Sequence, residues 1–338
     1  MLRFTTRLKE DIGVYERVLL HTTAIMHTEV VTGARINPKV ELEEGRGCRL
    51  DPIAFLSLKE NSYQENLKAL DSVKFTRQPG YQDQHLDLGC GPANFTTEHL
   101  LPRLWPCKRI VATDKSRHML NYARDHHQHP EVFFELLDIE HGDPQSIVDK
   151  HGWFDRVYAF LTFHYVSDLK RAYHNVHRLL KDGGECLVVY FTRTGITDAW
   201  YEVGRMDTWT NLIPDPEEVF ARRFHFNKPV IQQEVVAEER RAVESAGLKL
   251  VSCRTYNSLW TLPTVDVWTD NYVKFFKLDA RMHDQERSAF RISFRSSVLK
   301  RLISTSGGVA LTHEVVLAHS QKPMAPSSAV LTWSENTH

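Results

Sequence analysis

The chain has 338 residues, enough for one large α/β domain with insertions or for about two domains. Hydrophobic residues make up 42% and charged residues 25%, the balance of a chain with a substantial apolar core. Its 42 Lys and Arg face 43 Asp and Glu; with no positive excess to hold a polyanion, nucleic acid is not the expected substrate or partner.

Residues 1–52 lack a clean period, although Val14–Val31 is compatible with a helix, and read as an extension, partly helical or flexible, outside the main fold. Lys59–Lys74 spaces Tyr63, Leu67, Leu70 and Val73 for one apolar helical face. A turn-rich stretch from Gln78 leads into a short apolar strand, His85–Leu88. Further strands are expected at Arg109–Thr113, Val132–Leu137, Arg156–Leu161, Glu185–Phe191, Leu248–Tyr256 and Ala310–His319. Helices fall between them, among others Ser116–Arg124 and Asp168–Leu180, the latter closed by Gly183 and Gly184. Such alternation predicts βαβ units, hence a mostly parallel sheet with helices on both faces. Two stretches break the rhythm, about 193–235 and 258–300. Both are rich in aromatics, among them Trp200, Trp209, Phe220, Trp260, Trp268 and Phe276, and insertions after strands are where such folds build substrate pockets.

Five scattered cysteines, Cys48, Cys90, Cys107, Cys186 and Cys253, are odd in number and lack CxxC spacing, against both a disulfide framework and a structural zinc site. The cluster His126, His127, His129 sits in a loop before Pro130 and reads as solvated, so no metal is expected. No run of about 18 apolar residues predicts a membrane span. Arg and Thr near the N-terminus have a transit-peptide flavour, but Glu10 and Asp11 count against it, and the cytoplasm is the expected compartment.

The chemistry is concentrated at strand ends. The first strand runs into Asp87-Leu88-Gly89-Cys90-Gly91-Pro92-Ala93 and then a helix from about Phe95, a turn whose glycines let a ligand approach the backbone. Asp114 ends the second strand, where a carboxylate can accept from both ribose hydroxyls, and Asp138 ends the third, beside the expected adenine edge. A dinucleotide site wants a third glycine for the pyrophosphate; here Pro92 precedes a non-glycine, and a phosphate-free cofactor removes that requirement.

His85-Leu86-Asp87-Leu88-Gly89-Cys90-Gly91 resembles the first motif of class I S-adenosylmethionine-dependent methyltransferases, and Ala112 to Leu120, with Asp114, Lys115 and Met119, resembles their second. Phe154 to Tyr158 and Leu179 to Val188 resemble the later ones. The resemblance implies a Rossmann-like sheet, mostly parallel with an antiparallel last strand, and S-adenosylmethionine as cofactor. Its site would be made by Asp87, Gly89, Cys90, Gly91, Asp114, Lys115, Met119, Asp138, Ile139 and Phe160. Within that superfamily the chain is most similar to the arthropod juvenile hormone acid O-methyltransferases, over roughly residues 55–322. Lys59 to Gln64 resembles their N-terminal helix motif, Phe160 to Val166 the segment after their fourth strand, and Trp260 to about Phe294 their C-terminal cap.

That likeness implies methylation of the carboxylate of an apolar acid, of the juvenile hormone acid, farnesoic acid or fatty acid kind, with Gln64 contacting the carboxylate. Where the family usually reads His-Trp, with the tryptophan as a second contact, this chain reads His164-Tyr165. A phenol also donates one hydrogen bond, so carboxylate binding survives while the pocket changes shape. Two alternatives stay open: an amine or hydroxyl methyltransferase with His164 as base, and a non-catalytic module of the same fold. The expected organisation is an extension over 1–52, a methyltransferase domain over 53–323 and a flexible tail over 324–338, in a monomer or homodimer.

Overall fold

The computed structural model describes residues 50–221 and 224–324. The expected N-terminal helix, the extension up to residue 49 and the tail from residue 325 lie outside the described residues.

Among the described residues eight strands form one sheet: β1 (Gln84–Leu88), β2 (Arg109–Asp114), β3 (Val132–Leu136), β4 (Phe154–Phe160), β5 (Leu180–Thr194), β6 (Lys249–Leu262), β7 (Ile303–Thr305) and β8 (Gly308–Gln321). Their spatial order is β3-β2-β1-β4-β5-β8-β6, with β7 paired to β8. β1 to β5 pair in parallel, and β8, antiparallel to both neighbours, slots between β5 and β6. This is the expected Rossmann-like arrangement with its inverted last strand. The order reverses between β1 and β4, which opens a crevice at their carboxyl ends, the position where such sheets bind ligands.

The strands read as apolar runs because both faces are covered. On one face Leu86, Leu88, Val157, Ala159, Val188 and Tyr190 share one apolar cluster.

 The helices, in chain order, are α1 (Pro52–Leu56), α2 (Lys59–Ser72), α3 (Leu101–Leu104), α4 (Arg117–His126), α5 (Pro144–His151), α6 (Leu169–Leu179), α7 (Gly195–Gly204), α8 (Pro216–Val219), α9 (Gln232–Ser245), α10 (Val265–Phe275) and α11 (Asp284–Leu299). The helices that cover this first face are α5, α6 and α9: Ile147 and Val148, Tyr173 and Val176, and Val235 and Val243 share its apolar cluster. On the opposite face Tyr158, Phe160, Leu187, Val189 and Phe191 point into a second cluster with Tyr63 and Ala69 of α2 and with the inserted helices. This alternation is the period of two of a strand, read out on two cores.

Helix starts follow local chemistry. Ser116 caps α4 by accepting from Met119 N, and Asp168 caps α6 by accepting from Arg171 N. α2 carries the expected apolar side, with Tyr63 buried and Leu67, Leu70 and Val73 packed against the core. Ser62, Glu65 and Asn66 are buried as well. Glu65 explains why: its carboxylate accepts from Tyr256 Oη at 2.5 Å and from Ser258 Oγ, both on β6.

Three expectations need correction. β5 extends past Glu185–Phe191 to Thr194, and β6 past Tyr256 to Leu262. The cause is β8, which pairs with β6 through Leu262↔Val309 and with β5 through Thr194↔His313. Ser258 and Trp260 are therefore strand residues, not part of an insertion. β7 was not expected; it forms a hairpin with β8 in which Thr305 pairs with Gly308, a residue at φ +133°. The aromatics of the two inserted stretches are buried together. Trp200 lies 4.8 Å from Phe276, and Trp209 lies 5.6 Å from Phe290.

Candidate active site

β1 delivers Asp87 and the glycine turn to the crevice. Gly89 and Gly91 take φ +74° and +57°, and Ala93 takes +65°, a region that costs an L-residue about 1–2 kcal/mol. Gly89 N and Cys90 N both donate to Thr113 O, at 2.7 and 2.9 Å, which ties the turn to the end of β2. A Cβ on Gly91 would meet nothing within 4 Å, so the turn leaves open space there. A Cβ on Gly89 would overlap Thr162.

Two carboxylates, Asp87 and Asp114, meet at this turn. Asp114 accepts from Gly91 N at 2.9 Å and Ser116 N at 2.8 Å, one bond to each oxygen. Burial pushes its carboxyl above the ordinary value, with those bonds opposing. Asp87 is buried and accepts from Thr96 Oγ1 at 2.6 Å; burial, with the neighbouring Asp114 charge adding to it, pushes Asp87 up to about 7. Asp138 behaves differently. Burial pulls it upward, but the backbone donors of Glu140 and His141, together with Lys115, leave it below its ordinary value. Among the described residues neither acid pushed upward forms an ion pair, and only the Lys115 charge opposes the rise of Asp114, so a cationic ligand beside them would be favoured on electrostatic grounds. The residues present thus fit the cofactor that the resemblance implies.

The other expected cofactor residues differ in exposure. Met119 and Ile139 are buried, Cys90 is half-buried and Lys115 is exposed. Phe160 ends β4 with its ring 5.0 Å from Phe95, edge to face. Phe95 in turn contacts Tyr63 of α2 at 5.5 Å, which brings α2 to the rim of the glycine turn.

After β4 the chain turns sharply, with Leu161 at φ +51°. Thr162 Oγ1 lies within hydrogen-bonding distance of Leu88 O, Gly89 O and Phe160 O, at 3.2, 3.3 and 3.0 Å. A 3₁₀ turn, Phe163–Tyr165, then presents His164 and Tyr165. His164 is buried, its ring 5.5 Å from Phe191; Tyr165 is half-buried and stacks on Phe220 at 5.4 Å. The turn is held from below by Glu140, whose carboxylate accepts from Ser167 N and Asp168 N, each at 2.9 Å.

Gln64 stands apart. It is exposed on α2, while its neighbours Tyr63 and Glu65 turn inward. Thr162, Glu140 and Phe95 were not singled out from the sequence. Only the position of Thr162, two residues beyond a strand end, offered a signal. Among the described residues no group of three or more His, Cys, Asp or Glu side chains is arranged to hold a metal ion. His126 stacks on Tyr122 at 4.0 Å, and His127 Nδ1 lies 3.0 Å from Thr97 Oγ1.

With this geometry in place, residues 86–188 match the family described as a methyltransferase domain. The chain carries a methyltransferase domain. It is 28% identical over 187 residues to the juvenile hormone acid O-methyltransferase of Bombyx mori, covering 55% of this chain and 63% of that protein. It is 32% identical over 148 residues to the protein of the same name from Drosophila melanogaster, covering 43% of this chain and 49% of that one. A malonyl-[acyl-carrier protein] O-methyltransferase of Acetivibrio thermocellus is 35% identical over 99 residues, 29% of this chain and 32% of that protein. The matched segments thus span between about half and about two thirds of the two insect relatives. The matched span runs from within β1 into β5, and so includes the glycine turn, Asp114, Asp138 and the His164–Tyr165 turn.

Proposed function

We propose that the protein transfers a methyl group from S-adenosylmethionine to the carboxylate of an apolar small acid. The observation that carries this reading is the continuity of the cofactor cradle with an aromatic assembly. Phe95 and Phe160 join the glycine turn to the side of the sheet where Phe191, Phe220 and the inserted helices pack. The names of the insect relatives, which specify an acid and an O-methyltransferase, support it.

When bound, S-adenosylmethionine supplies a methyl group on a cationic sulfonium. Asp114 and Asp138 would hold its adenosine portion, with Met119, Ile139 and Phe160 as apolar walls. Asp87, Gly89, Cys90 and Gly91 would face the methionine portion, and Lys115 would flank the entrance beside Asp138. A substrate carboxylate with pKa about 4–5 is ionised at neutral pH, so no residue has to take a proton from it. Tyr165 and Gln64 are the proposed neutral donors that orient the carboxylate. Neutral donors position the anion without the tight pairing an arginine would impose, which would stabilise the ground state against reaction. From its exposed position on α2, Gln64 reaches inward only if its side chain swings round the helix edge. The aromatic walls exclude water, and collinear positioning lowers the remaining barrier. Unpaired thiols at Cys90, Cys107, Cys186 and Cys253 fit the proposed cytoplasmic setting.

The test is direct. Purified protein with labelled S-adenosylmethionine and a panel of farnesoic, juvenile-hormone and medium-chain acids is expected to yield methyl esters. Gln64→Ala is expected to slow turnover while cofactor affinity holds. Methylation of amines or phenols but of no acid would overturn the reading and assign His164 as a base.

A further inference from the structure

The aromatic assembly contains two polar atoms without partners among the described residues. Trp260 on β6 and His313 on β8 stack with ring centroids 4.5 Å apart and planes 21° apart. Phe191 packs against both, at 5.2 and 5.1 Å, and Trp268 covers His313 at 6.0 Å. Trp260 Nε1 and His313 Nε2 are buried and have no hydrogen-bond partner among the described residues. Other buried indoles are satisfied: Trp200 Nε1 donates to Pro214 O at 2.9 Å and Trp268 Nε1 to Val309 O at 3.3 Å.

The protonation of His313 follows from its surroundings. Nδ1 lies 3.1 Å from Leu311 O. A carbonyl oxygen only accepts, so Nδ1 carries the proton. Burial pushes the imidazole down to about 3, with the Leu311 bond opposing, so the ring is neutral. His313 Nε2 is then a bare acceptor and Trp260 Nε1–H an unused donor. Buried polar groups are rarely left unpaired in folded proteins. A carboxylate has only lone pairs to offer His313 Nε2 and does not suit both atoms. A hydroxyl, which donates one bond and accepts others, does.

We propose that Trp260 and His313 form a subsite for a neutral hydroxyl on the substrate, which accepts from Trp260 Nε1 and donates to His313 Nε2. The acid to which this hydroxyl belongs rests on the function proposed above. Phe191 touches both rings of the subsite and also His164. The hydroxyl therefore lies along the carbon skeleton, about one aromatic ring's breadth from the turn that orients the carboxylate.

The experiment uses the full chain with medium-chain acids carrying one hydroxyl at successive carbons, each compared with the unsubstituted acid. Binding is measured by calorimetry in the presence of S-adenosylhomocysteine, and methyl ester formation is measured separately. At one chain position the hydroxylated acid is expected to bind at least about tenfold more tightly, because a site built to hydrogen-bond a hydroxyl rejects the analogue lacking it. Trp260→Phe and His313→Phe are each expected to bring that ratio toward one while binding of the unsubstituted acid holds. Trp260→Phe keeps a ring of similar character, so it reports on the N–H even if His313→Phe fails to fold. Equal binding of every acid pair by the wild-type protein would overturn the subsite, leaving the two atoms to a buried water. Selective binding without methylation would uphold the subsite and sink carboxyl methylation.

Discussion

Thr162 occupies the space in which a side chain on Gly89 would have to stand. A Cβ there would overlap the threonine's Oγ1 and Cγ2 and lie 2.9 Å from its Cβ. The same hydroxyl reaches the carbonyls of Leu88 and Gly89, so one contact locks the end of β1 to the turn after β4. The cofactor cradle and the proposed acid-binding turn are joined at this point.

Gly89→Ala is therefore expected to destabilise the fold itself, by roughly 2–4 kcal/mol from the positive φ and the overlap together. Gly91→Ala has open space and only the φ to meet, about 1–2 kcal/mol. It should fold and fail mainly in cofactor binding. Thermal unfolding beside calorimetric titration with S-adenosylmethionine separates the two, and equal losses of stability would contradict the geometry. Thr162→Ala in the Gly89→Ala background should recover part of the lost stability.

Asp87 gives a pH signature. Its carboxyl moves from an ordinary 3.8 to about 7 on folding because it is buried. Between those values the folded chain holds a proton that the unfolded chain has released, so stability falls as pH rises through that window and is flat above it. Asp87→Asn should lessen this fall, leaving the part due to Asp114. A cationic ligand beside Asp87 favours its ionised form, so binding near pH 6 should release protons. Calorimetry in buffers of different ionisation enthalpy measures that release, which should shrink at pH 8.5 and in Asp87→Asn.

Glu140 acts at one remove. Its two oxygens accept from Ser167 N and Asp168 N, and Asp168 caps α6. Glu140→Gln keeps one acceptor and places an amide N–H against the other backbone donor. The expected cost is about 1–3 kcal/mol in unfolding free energy. KM for the acid should rise with cofactor affinity less affected, because the turn carrying His164 and Tyr165 is what loosens. Unchanged KM values would show that the turn holds its shape without Glu140.

Tyr165→Phe removes a hydrogen-bond donor and keeps the ring stacked on Phe220. A fall of about tenfold in kcat/KM for the acid, with cofactor affinity unchanged, is the expected result. The turnover rate should be flat across pH 6 to 9, since an ionised carboxylate needs no base. A rise through pH 6–7 that is lost in His164→Ala would instead point to a hydroxyl or amine acceptor.

The strand-end features were legible because they depend on local rules. Gly89 and Gly91 mark a backbone that needs positive φ, and of the two strand-end acids Asp114 ends β2 as expected, whereas Asp138 lies two residues past the end of β3. The order of β1 to β5 follows from those repeats and the handedness of βαβ units. By itself, then, the sequence determined the fold class and the glycine turn on which the proposed cofactor site rests. What it left open depends on pairing between distant residues. The length of β6, the inward turn of Glu65 toward Tyr256 and Ser258, and the exposure of Gln64 are set by β8 and α2 meeting β6 in space. Thr162 against Gly89, and Trp260 against His313, likewise join residues 73 and 53 positions apart. No spacing rule along the chain encodes such contacts; only the folded sheet, by fixing which side chains share a face, decided them.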